Sequence, residues 1–438
     1  MQMPIGQPVL NTSSPQASKR LSQRVLCLDD LEALARRHLP RPLFGYVEGA
    51  TETNATRSDN RAAFDQLAFV PRMLVGVAQR DMGITLFGKK YAAPFGIAPM
   101  GISALTAYRG DLIQARAAAE AGIPMIMSSS SLIAVEDVLQ AAPGTWFQAY
   151  LPRDEEGTIA LVERVRRAGV ETLVVTVDSA VVPNRENNVR NGFQTPLRPD
   201  LTLAMDGITH PRWLFGTFLR TLTRHGMPHF ENVGAVRGEP LVSRNVTRDF
   251  AGREHLHWDI VRSIRRCWDG PLVLKGILHP ADARLAREAG IDGVIVSNHG
   301  GRQLDHTVSP LRVLAQVADA AGGMCVMADS GFRRGTDVVK AMALGARCVF
   351  VGRPFNYAGA VGGQGGIAHV IRLLKEEICA NMGLLGINRL DELAPEFLYD
   401  KSDGQGLLSR SPPTHGKARE AGRGTKWKME GEATLAAS

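Results

Sequence analysis

The sequence predicts an α/β fold: a (β/α)8 barrel with a short helical N-terminal preface and a long insertion after the fourth strand. From about residue 95 a unit recurs, in which a short apolar run, a turn and an amphipathic stretch ending in glycine lead into the next apolar run. Eight such runs follow one another: FGIAPM, PMIMSS, TWFQAY, TLVVTVD, PLVLKG, GVIVSNH, MCVMADS and RCVFVG. They are nearly continuous rather than alternating, as parallel strands covered by helices are. A doubly wound open sheet shares this alternation, and eight units rather than five or six favour the barrel. A chain of 438 residues holds such a domain with appendages.

In chain order, residues 1–27 read as a flexible N-terminus without the continuous apolar core of a signal peptide. LDDLEALARRHLP then opens the preface, with Asp29 as helix cap, Glu32 three residues on and Pro40 as the stop. The barrel occupies 28–396, its helices ending in glycine as in GDLIQARAAAEAG and PADARLAREAG. The insertion, about 181–256, far exceeds an ordinary connecting loop. Within it, 205–228 contains PRWLFGTFLRTLTRHG. Helical spacing puts Leu214, Phe215, Phe218, Leu219 and Leu222 on one stripe, with Arg212, Arg220 and Arg224 on the other side and Trp213 near one end. Such a helix suits an anionic membrane surface, and equally a site packed on the barrel or on a neighbouring subunit. Residues 397–438 read as a flexible tail, whose stretch from Lys401 onward carries about three more basic than acidic residues.

Composition, with 44% hydrophobic and 22% charged residues, is that of an ordinary globular enzyme. The net charge of +7 lies partly in the tail and lacks interleaved aromatics, so nucleic acid is not an expected partner. No uncharged apolar run is long enough to span a bilayer, which places the protein in the cytoplasm or peripherally on the inner face of the cell membrane. The five cysteines (Cys27, Cys267, Cys325, Cys348, Cys379) are scattered, without metal-ligand spacing, and point to buried thiols in a reducing compartment. No metal site is expected.

Polar residues gather at the C-terminal ends of the expected strands: Ser128, Gln148, Asp178, Lys275, His299, Asp329 and Gly352. In a barrel that end carries the active site. SNHGGRQLD, residues 297–305, sets the imidazole of His299 three residues from the guanidinium of Arg302. This reads as a base beside a carboxylate clamp, with Gly300 and Gly301 letting the backbone pass close to a flat ligand.

The same stretch resembles the active-site signature of the FMN-dependent α-hydroxy acid dehydrogenases and oxidases, and motifs similar to that family's recur in its order from 28 to 396. The resemblance implies a TIM barrel that binds FMN. It implies His299 as the base that takes the substrate proton, with Asp178 of TLVVTVDSA stabilising the imidazolium; a nearby carboxylate raises an imidazole's pKa. Arg302 and Arg185 of VVPNRENNVRNGF would grip the substrate carboxylate. Tyr46 of LFGYVEGA and Tyr150 of WFQAY would hydrogen-bond the substrate, Tyr150 as part of the catalytic group.

For the cofactor, the resemblance puts Lys275 of LVLKG on the N1/O2 edge of the flavin, where an ammonium stabilises developing negative charge. Ser128, Gln148, Thr176 and Ser297 match neutral residues that ring it, and Pro99, Met100 and Gly101 of GIAPMG supply backbone near N5. Asp329, Ser330, Gly331 and Arg333 of ADSGFRRGTD and Gly352 and Arg353 of FVGRPF would form the phosphate pocket with nearby helix N-terminal amides, Ser330 replacing a more usual glycine.

The implied reaction oxidises an L-2-hydroxy acid, lactate- or mandelate-like, to the 2-oxo acid. Gly101, where several oxidases of the family carry alanine, and the basic insertion point to a quinone or cytochrome acceptor. An oxygen-using oxidase is the alternative, and a non-catalytic flavin-binding barrel a remote one. Ser130, where some oxidases of the family carry tryptophan, implies a roomier pocket for an aryl or longer alkyl substrate. Family resemblance also implies a homo-oligomer, a tetramer.

Overall fold

The computed structural model describes residues 21–193, 201–243, 253–402 and 406–407. Each of the eight apolar runs forms a strand: β1 (Phe95–Ile97), β2 (Ile126–Ser128), β3 (Trp146–Ala149), β4 (Leu173–Thr176), β5 (Leu272–Ile277), β6 (Gly293–Val296), β7 (Cys325–Ala328) and β8 (Cys348–Val351). The hydrogen-bonded order is β1-β8-β7-β6-β5-β4-β3-β2, with every pairing parallel. The ring closes where the Ile97 amide donates to the Pro124 carbonyl at 3.0 Å beside an Ile97–Met125 bridge. This is a (β/α)8 TIM barrel.

Two apolar populations explain the continuous hydrophobic runs. Inside the barrel, Ile126, Trp146, Val174, Val273, Ile295, Met327 and Phe350 pack against Leu86 and Tyr91 of an antiparallel hairpin, Ile84–Leu86 with Lys89–Tyr91. Tyr91 accepts from Trp146 Nε1 at 3.1 Å, which plugs the N-terminal end of the barrel. The residues between them, such as Val175, Leu274, Val294 and Val349, face the surrounding helices. With one mouth filled by apolar side chains, the polar strand ends gather at the other.

The preface forms α1 (Asp30–His38), α2 (Arg41–Glu48) and α3 (Ala55–Gln66). Asp29 does not cap α1: its backbone is already helical and its side chain makes no capping bond. Asp30 does not replace it as a cap but ties down the preceding segment, its carboxylate accepting from the amides of Leu26 and Cys27 at 2.8 and 3.1 Å. Asp29 instead meets Arg333 Nε at 3.4 Å.

Both ends of the barrel domain extend past the expected boundaries. Residues 21–24 are helical, Val25 is fully buried, and its carbonyl accepts from His369 at 2.8 Å, so order begins before residue 28. At the other end Leu398–Asp400 pairs antiparallel with Leu67–Phe69 and buries Leu398. An apolar side chain with a strand partner holds the first residues of the expected tail in place. Residues 408–438 lie outside the described residues.

Candidate active site

SNHGGRQLD leaves β6 and turns at once. His299, Gly300 and Gly301 all have positive φ (58, 65 and 76°), so three successive residues take the left-handed conformation that glycine adopts at least cost. The glycines serve this turn and close packing within the protein, and Gly300 also lines the cavity. A Cβ at Gly300 would lie 2.9 Å from Arg353 Nη1, and one at Gly301 would lie 2.9 Å from the Arg57 amide on α3. Reciprocal amide bonds between Asn298 and Asn60, 2.9 and 2.7 Å, anchor the turn to α3. Asp305 anchors its far end by accepting from Thr53 and from the Thr56 amide.

His299, held in that turn, is the middle of a chain of hydrogen bonds. Its Nδ1 pairs with Asp178 Oδ1 at 2.8 Å, and its Nε2 faces the Tyr150 hydroxyl at 3.2 Å. Asp178 comes close because β5 bulges between Lys275 and Ile277 and Gly276, at φ 109°, has no side chain; a Cβ there would lie 2.6 Å from that of Asp178. Burial lowers the pKa of His299 and Lys275 adds to this, outweighing Asp178, so the ring is a neutral base at rest. The carboxylate's effect alone would predict the opposite net direction. The pKa of Asp178 is lowered despite its burial, by imidazolium whenever His299 carries a proton and, with the ring neutral, by the Lys275 ammonium and the hydrogen bond from His299.

Lys275 carries a second network. Its ammonium lies 3.2 Å from Asp329 Oδ2 and 2.9 Å from Ser297 Oγ. Burial works against its charge, but Asp329 and then Asp178 raise its pKa above the ordinary lysine value. Asp329 is thus the anionic partner of Lys275 as well as part of the cavity wall. Ser330, left-handed at φ 79° in place of glycine, donates to Asp329 at 2.8 Å and accepts from the Gly300 amide at 3.0 Å. Those two bonds offset the strain of a non-glycine residue there.

These networks enclose a cavity of about 1010 Å³, counted to its open mouth. Its wall brings together Tyr46, Tyr150, Arg185, His299 and Arg302 at one side, and Pro99, Met100, Gly101, Ser128, Thr176 and Lys275 at another. Asp329, Ser330, Gly331, Arg333, Gly352 and Arg353 complete it. Three expected residues stand behind that wall. Asp178 orients His299, Ser297 accepts from Lys275 and from the His299 amide, and Gln148 accepts from Ser128 at 3.0 Å.

Arg302 donates through Nη1 to the carbonyls of Tyr46 and Gly49, both at 2.7 Å, and lies 4.9 Å from the Tyr46 ring centre. Arg185 donates to the Arg302 carbonyl at 3.1 Å and to Gln303 at 2.8 Å. The two guanidinium groups are therefore braced beside His299 before any ligand arrives.

The cavity fits a flavin phosphate. Burial, then Arg302, lowers the pKa of Arg353 to about 9, and burial also lowers that of Arg333. Such positive crowding calls for an anion. Arg353 opens α5 (Arg353–Leu385), so the N-terminal, positive end of that helix adjoins the cavity that Gly352, Arg353 and Asn356 line. The helix after β7, α4 (Gly335–Ala343), does not share this role: Asp337 accepts from the Arg333 and Arg334 amides, and Glu377 from that of Gly335. Thr176 Oγ1, on the cavity wall, and Gln148 Nε2 are buried with no hydrogen-bond partner among the described residues, as polar groups awaiting a polar ring edge would be.

Residues 35–400 match the sequence profile of the family described as FMN-dependent dehydrogenase. The chain belongs to that family. It is 36% identical over 396 residues to (S)-mandelate dehydrogenase of Pseudomonas putida, covering 90% of this chain and 98% of that protein. It is 38% identical over 378 residues to L-lactate dehydrogenase of Ectopseudomonas mendocina, covering 84% and 97%. Among solved structures, monotopic membrane protein (S)-mandelate dehydrogenase superposes with a TM-score of 0.78 at 35% identity, over 86% of this chain and 100% of that one. The protein is thus an FMN-dependent oxidoreductase of the 2-hydroxy acid dehydrogenase family.

Sequence reasoning missed several residues at the site. Asn356, whose Oδ1 is buried without a partner among the described residues, lines the cavity three residues after Arg353; its place in the first turn of α5 was a readable signal. Arg253, nearly buried, sits 4.6 Å from the Tyr150 ring centre and donates to the Leu151 carbonyl at 3.2 Å. No motif marks it, because it comes from the return of the insertion.

Proposed function

We propose that this FMN-dependent enzyme oxidises an L-2-hydroxy acid, lactate- or mandelate-like, to the 2-oxo acid and passes the electrons to a membrane quinone or cytochrome. The observation that carries this reading is the Tyr150–His299–Asp178 chain opening on a cavity that also receives Arg185 and Arg302. The arginines bind the substrate carboxylate with Tyr46, fixing which face of the acid meets His299. Neutral His299 takes a proton at Nε2, and Asp178 at Nδ1 stabilises the imidazolium that results. Tyr150 holds the substrate oxygen beside that nitrogen.

Lys275, Ser128, Gln148, Thr176 and Ser297 would hold the flavin ring, with backbone from Pro99, Met100 and Gly101; Asp329, Ser330, Gly331, Arg333, Gly352 and Arg353 would hold its phosphate. FMN, when bound, supplies the two-electron acceptor for the substrate. Gly101 fits tightly: a Cβ there would lie 3.0 Å from Ser130 Cβ and 3.4 Å from the Tyr46 hydroxyl, so a bare backbone leaves both in place. The small Ser130 leaves space for an aryl or longer alkyl group.

Membrane attachment through residues 205–228 is part of this proposal, supported by the name of a monotopic relative and by the exposure of Met205, Ile208 and Phe215, 59, 61 and 66%. No helix among the described residues is long and apolar enough to cross a membrane. A tetramer is the assembly the resemblance implies.

The test is an anaerobic stopped-flow panel of lactate, glycolate, mandelate and longer 2-hydroxy acids, read by flavin bleaching. Fast bleaching by the L-enantiomer of at least one acid is expected; a yellow protein that none of them bleaches refutes the reading. Hydrogen peroxide formed stoichiometrically in air would replace the membrane acceptor with oxygen.

A further inference from the structure

A second cavity, which shares no lining residue with the active site, lies between the insertion and the barrel. The insertion contributes Arg212, Gly216 and Arg220 to its wall, and the barrel contributes His38, Tyr108 and Gly363. Both sides are irregular where they meet it. Leu214–Phe218 forms a π-helical turn, and α5 breaks its helical path at Gly363, φ 57° and ψ −147°. Widened or broken helices cost hydrogen bonds and tend to mark functional sites.

The cavity is cationic. Neither Arg212 nor Arg220 has a carboxylate within ion-pair distance among the described residues. Arg220 is held in place, 3.9 Å above the Tyr108 ring, and Tyr108 is itself fixed by a 2.8 Å bond between its hydroxyl and His225 Nε2. Asp206 accepts from the Arg41 amide at 2.6 Å and Glu120 from Gln364 at 2.7 Å, and neither is paired with Arg212 or Arg220. Burial first, then Arg212 and His210, lowers the pKa of His38 to about 4. A fixed guanidinium, a second one beside it and a hydroxylated ring make a receptor for a tetrahedral oxyanion.

We infer that this cavity binds the phosphate of an anionic phospholipid, a reading that rests on the membrane attachment proposed above. The lipid, rather than a free phosphate, is indicated by the same helix: the segment that turns Arg212 and Arg220 into the cavity leaves Phe215 exposed. A headgroup in the cavity puts its acyl chains beside that apolar side chain. The site would thereby fix the orientation of the barrel on the membrane, which a diffuse basic surface cannot do.

The experiment uses the full-length holoenzyme and two probes: phosphatidylcholine vesicles with and without phosphatidylglycerol, and monomeric short-chain phosphatidylglycerol in solution. Arg212→Gln/Arg220→Gln should weaken binding to the anionic vesicles about tenfold or more and leave binding to phosphatidylcholine alone unchanged. Arg224→Gln removes an equal charge from an exposed position on the same helix and should cost several-fold less than Arg220→Gln. The short-chain lipid should bind the wild type and not the double variant. Equal losses from Arg220→Gln and Arg224→Gln would overturn the site in favour of diffuse attraction. Inorganic phosphate that displaces the short-chain lipid at matched concentration would overturn the lipid as its ligand. If the wild type binds no vesicle yet takes the short-chain lipid in an arginine-dependent way, the membrane reading fails and the headgroup site stands; if it takes no short-chain lipid, the site fails.

Discussion

The barrel mouth and the insertion are both rich in arginine and both line a cavity, yet they are built on opposite terms. At the mouth every charged group is braced: Lys275 by Asp329, His299 by Asp178, Arg302 by two carbonyls and Arg353 by three. The segment 205–228 of the insertion meets the barrel differently, through one aromatic side chain, Trp213, which is 7% exposed and donates to the Leu105 carbonyl at 2.7 Å, with Leu214 and Phe218 packed beside it. Chemistry needs groups fixed to fractions of an ångström, whereas a surface that meets lipid needs only a face and an anchor. Substitutions at the mouth should therefore act on rate through geometry, and those in the insertion on location and local order.

The largest effect should follow His299→Ala. The variant should retain FMN, because the cofactor contacts proposed here lie elsewhere, and lose at least about 10²–10⁴ in the rate of flavin reduction. Near-normal reduction would remove His299 from the reaction and with it the contrast between the two regions. Lys275→Met should rank next. It leaves Asp329 buried without its counter-charge, a change that costs about 3–5 kcal/mol, and should appear as a lowered melting temperature of the holoenzyme together with weakened flavin retention. An unchanged melting temperature would show that the Lys275–Asp329 pair contributes nothing net to stability.

The acidity of His299 gives a third measurement. Burial lowers its pKa from the ordinary 6.5, so the native state holds fewer protons there than the unfolded chain as the pH falls through that value. The stability this group contributes is present above 6.5 and declines below it, toward the lowered native pKa. The acid limb of kcat/KM should accordingly lie below 6.5. Asp178→Asn should move it lower still, since the carboxylate is what raises the imidazole's affinity for a proton. A limb above 6.5 in the wild type would mean that Asp178 outweighs burial.

The mouth was readable in the sequence because eight apolar runs set where the strands end, and a strand end in a barrel has one destination. Seventeen of the twenty residues of the sequence-derived site line the main cavity directly, and Asp178, Ser297 and Gln148 stand just behind it. Close approach across the chain was not readable. That Gly276 makes room for Asp178, that Gly300 and Gly301 make room for Arg353 and α3, and that Arg253 returns from the insertion to Tyr150 all depend on pairs of residues far apart in sequence. The insertion was legible only as a period: its apolar stripe is visible, but Trp213, set apart from that stripe, proves to be its anchor.

That anchor provides the smallest and most local test. Trp213→Phe keeps an aromatic ring against Phe218, whose centre lies 5.4 Å away, and removes only the hydrogen bond to the Leu105 carbonyl. Leaving a buried acceptor unpaired costs about 1–3 kcal/mol. Because neither Trp213 nor Leu105 lines the main cavity, that cost should be felt locally: faster amide exchange across residues 211–225, with flavin reduction by substrate unchanged. Phe215→Ser should do the reverse. Its ring is 66% exposed, so exchange should stay as in the wild type while sedimentation with membranes falls. If Trp213→Phe slows flavin reduction as well, the insertion and the mouth are coupled, and Arg253 against Tyr150 is the contact through which they would be.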